Sequence, residues 1–287
     1  MTYNLDQKTI IITGANSGIG KAAVIQLANC GATVIMACRS AERGAQALED
    51  VQKGAHSLKV ELMLVDLSSQ ASIRQFVEAF KMRHLHLDVL IHNAANFDHT
   101  LKKRTLTSEG VEMVFATNHI GVFLMTHLLL DTLKASAPSR IITVASKGLL
   151  TYPFLDIEFD NLNGERKFST QHAYYHSKQA QVMFTYDLAE RLQGTGVTVN
   201  CVRVTNVAIP DERLSHLPAW LRKIYHLKRS MSITPERQAE TYVSLPRILM
   251  WKEFQVVTGM KTINRCGRIK THITTKHGKN YGLKVNG

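Results

Sequence analysis

A doubly wound α/β fold, with one parallel sheet covered by helices on both faces, is what this 287-residue sequence predicts. Three observations carry that expectation. Short β-branched runs show little polar alternation, as strands buried on both faces do. Helix-like stretches separate them, and parallel neighbours need such crossovers. A glycine-rich turn joins the first strand to the first helix, the place where such sheets turn sharply.

The elements follow in chain order. Thr9–Thr13 reads Thr-Ile-Ile-Ile-Thr, β-branched throughout, and predicts the first strand. The glycine turn ends it, and a helix runs to about Asn29. Thr33–Cys38 is the second strand, followed by a charged helix from about Ala41. Residues 60–65 form the third strand, and Ser69 is placed to cap the next helix. Val89–His92 is the fourth strand, and a long helix is expected over 108–133. Residues 140–145 form the fifth strand, 174–192 a helix, 197–202 the sixth strand, and Val256–Thr258 a short last strand. No internal repeat and no linker composition interrupts this order, so one domain is expected over residues 1–260.

Composition narrows the function classes. At 45% hydrophobic and 20% charged, the chain reads as a soluble globular protein. No run of eighteen apolar residues predicts a membrane span. The opening Met-Thr-Tyr-Asn-Leu-Asp-Gln-Lys lacks the layout of a signal peptide. Cys30, Cys38, Cys201 and Cys266 show no metal-ligand spacing, and reduced thiols in a cytoplasmic setting are expected. The net charge of +12 owes much to residues 261–287, which hold seven Lys/Arg and no acidic residue. A basic tail without interleaved aromatics is no base-stacking surface, so nucleic acid is excluded as the expected partner.

The turn Gly14-Ala15-Asn16-Ser17-Gly18-Ile19-Gly20 carries the first chemistry. Gly14 takes the tight turn, Gly18 lets backbone approach an anion, and Gly20 permits close packing. The helix N-terminus behind it offers free N–H groups to a phosphate. Further on, Tyr174 and Lys178 lie four apart, on one face of a helix. A phenol titrates near 10, and a neighbouring ammonium is expected to bring it closer to working pH. Ser146 ends the fifth strand, where its hydroxyl can polarise a carbonyl at the ligand-facing sheet edge.

The spacing Gly-x-x-x-Gly-x-Gly, with Ser146, Tyr174 and Lys178 following in order, resembles the short-chain dehydrogenase/reductase family over residues 8–203. The resemblance implies a Rossmann-type sheet and a nicotinamide cofactor. It implies that Tyr174 exchanges the substrate proton, and that Lys178 lowers its pKa and holds the nicotinamide ribose. It further implies that Asn118, in Ala-Thr-Asn-His-Ile-Gly, supports a water bridge to the lysine. Asp66 and Leu67 are expected at the adenine, Asn93 and Ala94 at its ribose, and the Val207 N–H at the carboxamide. The glycine usual after Asn-Ala is Ala95 here. The segment 155–163 and the run Tyr-x-x-Ser-Lys are similar to the retinol dehydrogenase and protochlorophyllide reductase branch.

The second strand ends Cys38-Arg39-Ser40, where an acidic residue would bind a ribose 2′-hydroxyl. Arg39 suits a 2′-phosphate instead, so NADP(H) is expected over NAD(H). Val204 and Thr205 replace a Pro-Gly pair common in the family, and Ile209 replaces a phosphate-contacting threonine. Leu214, Leu217, Trp220, Leu221, Ile224 and Tyr225 give a basic segment of helix-like apolar spacing, expected as a substrate lid near 210–232, its apolar residues either packing on the body or walling the substrate. The expected activity is interconversion of a carbonyl and an alcohol on an apolar small molecule, retinal-like, steroid-like or another aldehyde or ketone. The alternative is a cofactor-binding sensor or scaffold of weak catalysis. The family's habit of pairing through long helices implies a homodimer or homotetramer.

Overall fold

The computed structural model describes residues 4–55, 59–98, 103–152, 155–208, 219, 222, 232–244 and 256–258. The basic tail at 261–287, Cys266, Ile209 and almost all of the segment 210–232 lie outside the described residues.

Seven strands form one sheet: β1 Thr9–Thr13, β2 Thr33–Cys38, β3 Val60–Leu64, β4 Val89–His92, β5 Ser139–Ser146, β6 Val197–Val204 and β7 Val256–Thr258. Their spatial order is β3-β2-β1-β4-β5-β6-β7, and every pairing is parallel. The order reverses between β1 and β4, so a crevice opens there at the carboxyl ends of the strands. The helices are α1 Gly18–Asn29, α2 Ala41–Gly54, α3 Gln70–Arg83, α4 Met113–Ala135, α5 Thr170–Arg191 and α6 Pro235–Ser244. A single 3₁₀ turn, Lys147–Thr151, follows β5.

Alternation along the strands divides the core in two. Ile10, Ile12, Val34 and Met36 face α1, α2 and α6, meeting Val24, Leu27, Val51 and Tyr242. Ile11, Ile35, Leu90 and Ile141 face α3, α4 and α5, meeting Phe80, Met125, Leu129 and Leu188. Successive side chains point to opposite faces, so a strand read as continuously apolar feeds both layers. Each such aliphatic side chain contributes on the order of 2 kcal/mol by leaving water.

Two boundaries differ from the sequence reading. Helix α4 begins at Met113, not near 108, because Gly110 turns the chain with a φ of 77°. The Glu112 carboxylate then caps the helix, accepting from the N–H groups of Val114 at 3.0 Å and Phe115 at 2.8 Å. Helix α5 begins four residues earlier than expected, since the Ser169 hydroxyl accepts from His172 N at 3.2 Å. Ser69 caps α3 as expected, its hydroxyl accepting from Ser72 N. Helix α4 is long and apolar enough to cross a membrane by length and composition. Here its Val122, Met125, Leu129 and Leu133 are buried in the core.

Candidate active site

The glycine turn sits at the mouth of the crevice. Gly14 has a φ of 66°, and its N–H donates to Ala37 O at 2.9 Å, tying the turn to β2. A Cβ at Gly20 would lie 2.6 Å from Asn93 Nδ2 and hard against Gly14 O, so α1 closes on the turn only because that atom is absent. Gly18 has a φ of 54°, with open space where its Cβ would stand. Ser17 occupies the N-cap position of α1, yet its side chain makes no capping bond. The first-turn N–H groups, flanked by Asn16, Ser17 and Ile19, are thus left for an anion. This cradle fits a dinucleotide pyrophosphate.

The walls of the cradle come from the next two strand ends. Asp66 Oδ1 accepts from Ser68 N at 2.8 Å and Ser68 Oγ at 2.6 Å, fixing the turn after β3. Gly121 lets α4 press on that turn, because any Cβ there would collide with the Leu67 carbonyl. Asn93 donates through Nδ2 to Thr13 O at 3.0 Å and Gly14 O at 3.2 Å. Ala94 N donates to Thr13 Oγ1 at 3.0 Å. The sequence reading did not foresee Tyr242, whose hydroxyl donates to Asn93 Oδ1 at 3.1 Å from α6. No local pattern marks a partner 149 residues away.

Arg39 follows β2 directly, is exposed, and makes no ion pair among the described residues. Arg43, also exposed, stands one turn on, its N–H held by the N-cap Ser40 at 3.3 Å. Lys21, a second candidate for a phosphate, is already paired with Asp50 at 2.9 Å.

Ser146, Tyr174 and Lys178 gather at the carboxyl end of β5, and Asn118 bonds to Ser177, the residue before Lys178. The Ser146 hydroxyl lies near the Tyr174 phenol and pulls its pKa down. Its Oγ also accepts from Gly148 N at 3.2 Å, through the 3₁₀ turn. Asn118 lies in a π-helical turn, Ala116–Ile120, within α4, where Gly121 N reaches back to Ala116 O. Such turns release a helix from its regular bonding and recur at functional sites. Its side chain donates to Asn96 O and Ser177 Oγ, both at 3.0 Å, and accepts from Asn96 N at 2.7 Å. Asn118 therefore locks the loop after β4 onto α5.

Lys178 is 2% exposed. Its ammonium donates to Val144 O at 2.7 Å and Gln181 Oε1 at 3.0 Å. Burial pulls its pKa down to about 8, against an opposing pull from Cys201. One expectation is corrected here: the Tyr174 pKa is not lowered but pushed up to about 12. Burial is the cause, and it outweighs the pull of the Ser146 hydroxyl. The lysine nitrogen stands 5.9 Å from the tyrosine ring centroid, with two of its three donors committed elsewhere.

Phe97, missed by the sequence reading, stacks on Tyr174 with ring centroids 4.1 Å apart and 19° between planes. Tyr175 stands edge-on to Tyr174 at 5.3 Å and packs on Tyr152 at 4.6 Å. Tyr174, four residues before Lys178, has its phenol beside the Ser146 hydroxyl. After β6, Val207 bridges Ile233, and Ala208 N donates to Ile233 O at 3.0 Å. Gln238 of α6, fully buried, accepts from Thr205 N at 3.4 Å and Thr205 Oγ1 at 3.3 Å. This brace anchors the loop that lacks the Pro-Gly pair.

A parallel sheet with a glycine cradle at its switch point and a Ser–Tyr–Lys set beside it defines a nucleotide-dependent oxidoreductase. The sequence profile of the family described as short chain dehydrogenase matches residues 8–155. This chain belongs to that family, within its retinol dehydrogenase branch. It is 40% identical over 240 residues to human retinol dehydrogenase 11, covering 84% of this chain and 73% of that protein. Identity to human retinol dehydrogenase 14 is 38% over 252 residues, covering 83% and 73%. A short chain dehydrogenase of Shigella flexneri, solved in complex with NADP, shares the fold at a TM-score of 0.69 and 20% identity, covering 90% of this chain and 98% of that one.

Proposed function

We propose that this protein is an NADP(H)-dependent oxidoreductase that interconverts a carbonyl and an alcohol on an apolar small molecule, with reduction the favoured direction. The observation that carries it is the convergence of Ser146, Tyr174 and Lys178 beside the glycine cradle. The cradle residues Gly14, Asn16, Ser17, Gly18, Ile19 and Gly20 hold the pyrophosphate, with Asp66, Leu67, Asn93 and Ala94 around the adenosine. Val207 meets the carboxamide, and Arg39 meets the 2′-phosphate. When bound, the nicotinamide supplies or accepts the hydride at the substrate carbon.

The chain's own residues handle the rest. Ser146 donates to the substrate carbonyl oxygen and so strengthens where negative charge develops. Tyr174 gives its phenolic proton to that oxygen, or takes it back in oxidation. A pKa near 12 keeps the phenol protonated at neutral pH, the form that reduction requires. Lys178 supplies the positive charge that offsets a transient phenolate and holds the ribose. Asn118 fixes the loop that carries Phe97 and Asn96. Free thiols at Cys30, Cys38 and Cys201 suit a reducing, cytoplasmic setting, where NADPH is the available reductant.

Names of relatives also bear on the substrate. Retinol dehydrogenases act, by name, on a long apolar polyene alcohol, and the aromatic wall of Phe97, Tyr174, Tyr175 and Tyr152 suits such a surface. Phe97→Ala is expected to raise KM for retinal about tenfold, the effect of losing one aromatic contact, with NADPH affinity unchanged. An unaltered KM would remove Phe97 from the substrate wall.

Titration of intrinsic fluorescence with NADPH and with NADH tests the cofactor assignment. Wild-type protein binds NADPH at least tenfold more tightly than NADH, and Arg39→Glu abolishes the preference, since one charge-assisted contact to phosphate carries about that factor. Equal affinity for the two in the wild type would overturn the choice of NADP(H).

A further inference from the structure

We propose that Gln181 is a positioning residue for Lys178, its side-chain carbonyl setting the ammonium's orientation and holding it charged. This rests on the catalytic role given to Lys178 above. Both side chains are buried to the limit, Gln181 at 0% exposure and Lys178 at 2%. They lie three apart on α5, close enough on the helix surface for side chains to meet. Lysine has three donors and no acceptor, so the atom facing it must be the amide oxygen of Gln181, at 3.0 Å. The Val144 carbonyl takes a second N–H at 2.7 Å from the opposite element, β5. Two fixed acceptors define the direction of the third N–H, the one left for the site.

The other end of the same amide argues that this contact has a purpose. Gln181 Nε2 is buried and has no hydrogen-bond partner. An orphaned buried donor is costly, and an apolar side chain of equal length would avoid that cost. The glutamine is thus poorly explained as packing and well explained as an acceptor for a buried cation. The other titratable groups near the ammonium provide no such counterweight. His92 on β4 is held neutral by burial, its pKa pulled down to about 3. Its Nε2 lies 2.7 Å from Thr126 Oγ1, a hydroxyl that itself donates to Val122 O, so His92 is the donor there. The Cys201 thiol on β6 is pushed up by burial and stays protonated, as does the Tyr242 phenol on α6. Tyr174, one turn earlier on α5, is protonated too. Among these groups no anion balances Lys178, and neutral carbonyls hold it.

The test compares Gln181→Met and Gln181→Glu in the full-length protein. In carbonyl reduction with NADPH, kcat is expected to fall as pH rises through the Lys178 pKa. Gln181→Met moves that alkaline limb down by about one pH unit, and Gln181→Glu moves it up by about as much, since hydrogen bonding to the charged form is what each alters. Loss of mere packing would lower kcat in both without displacing the limb. The Lys178 pKa is read independently from the ¹³Cε shift in ¹³C-lysine-labelled protein, assigned with Lys178→Met. Opposite shifts in the two variants support the positioning role. An unmoved titration in both overturns it. Absence of turnover in the wild type would sink the proposed reaction, while the ¹³C titration would still decide on Gln181.

Discussion

Tyr174→Phe reduces turnover by about 10³-fold while leaving NADPH affinity within a factor of two of wild type. The Tyr174 phenol faces the Ser146 hydroxyl and can give a proton to a carbonyl oxygen. Phenylalanine keeps the ring, so the stacking on Phe97 at 4.1 Å and the edge contact with Tyr175 survive. What disappears is the proton and the hydrogen bond alone. Single-turnover reduction at saturating NADPH separates these contributions, because binding is then complete and only chemistry is timed. Activity within tenfold of wild type would mean that another group, such as the Tyr175 phenol, moves the proton.

Lys178→Met also removes turnover, and it is expected to do so without lowering the Tm. The sign follows from linkage. The folded protein holds Lys178 with a pKa of about 8, below the ordinary value of 10.5. Between those values the unfolded chain binds the proton more strongly, so this group's contribution to stability improves as pH rises through that window. At pH 7 the full penalty is in force, roughly 3 kcal/mol at 1.36 kcal/mol per pKa unit. Methionine removes the penalty and fills the same volume, although it leaves Gln181 Oε1 and Val144 O without their donor. Differential scanning fluorimetry at pH 7 should therefore give a Tm equal to or above wild type, with no detectable reduction of retinal. A clear fall in Tm would show that the ammonium stabilises the fold, and would contradict its reading as a functional burden.

The parts of this molecule that the sequence announces are those that repeat a local rule. Ile10, Ile11 and Ile12 declare a strand buried on both faces, and seven such runs give the sheet. Gly14, Gly18 and Gly20 announce the cradle because the left-handed turn and the close approach to Asn93 admit no side chain. Tyr174 and Lys178 are legible through helical spacing. By contrast, Tyr242 on Asn93, Gln238 on Thr205 and Phe97 on Tyr174 join elements that only the tertiary fold brings together. The raised pKa of Tyr174 was misread for the same reason, since spacing shows which charges are near but not how much water is excluded. The start of α4 differs from the expected 108 because Gly110 turns the chain and the Glu112 carboxylate folds back to cap the helix, which helical periodicity does not show.

The tie from Tyr242 to Asn93, and from Asn93 to Gly14, couples α6 to the cradle. Gly14–Gly20 and their brace Tyr242 are more than two hundred residues apart in the chain. The glycine loop is held directly by Ala37 and Asn93, and α6 adds a brace one step removed, by steadying Asn93. Loosening of α6 from α1 would therefore reach the cradle through Asn93 without altering any residue of the glycine loop.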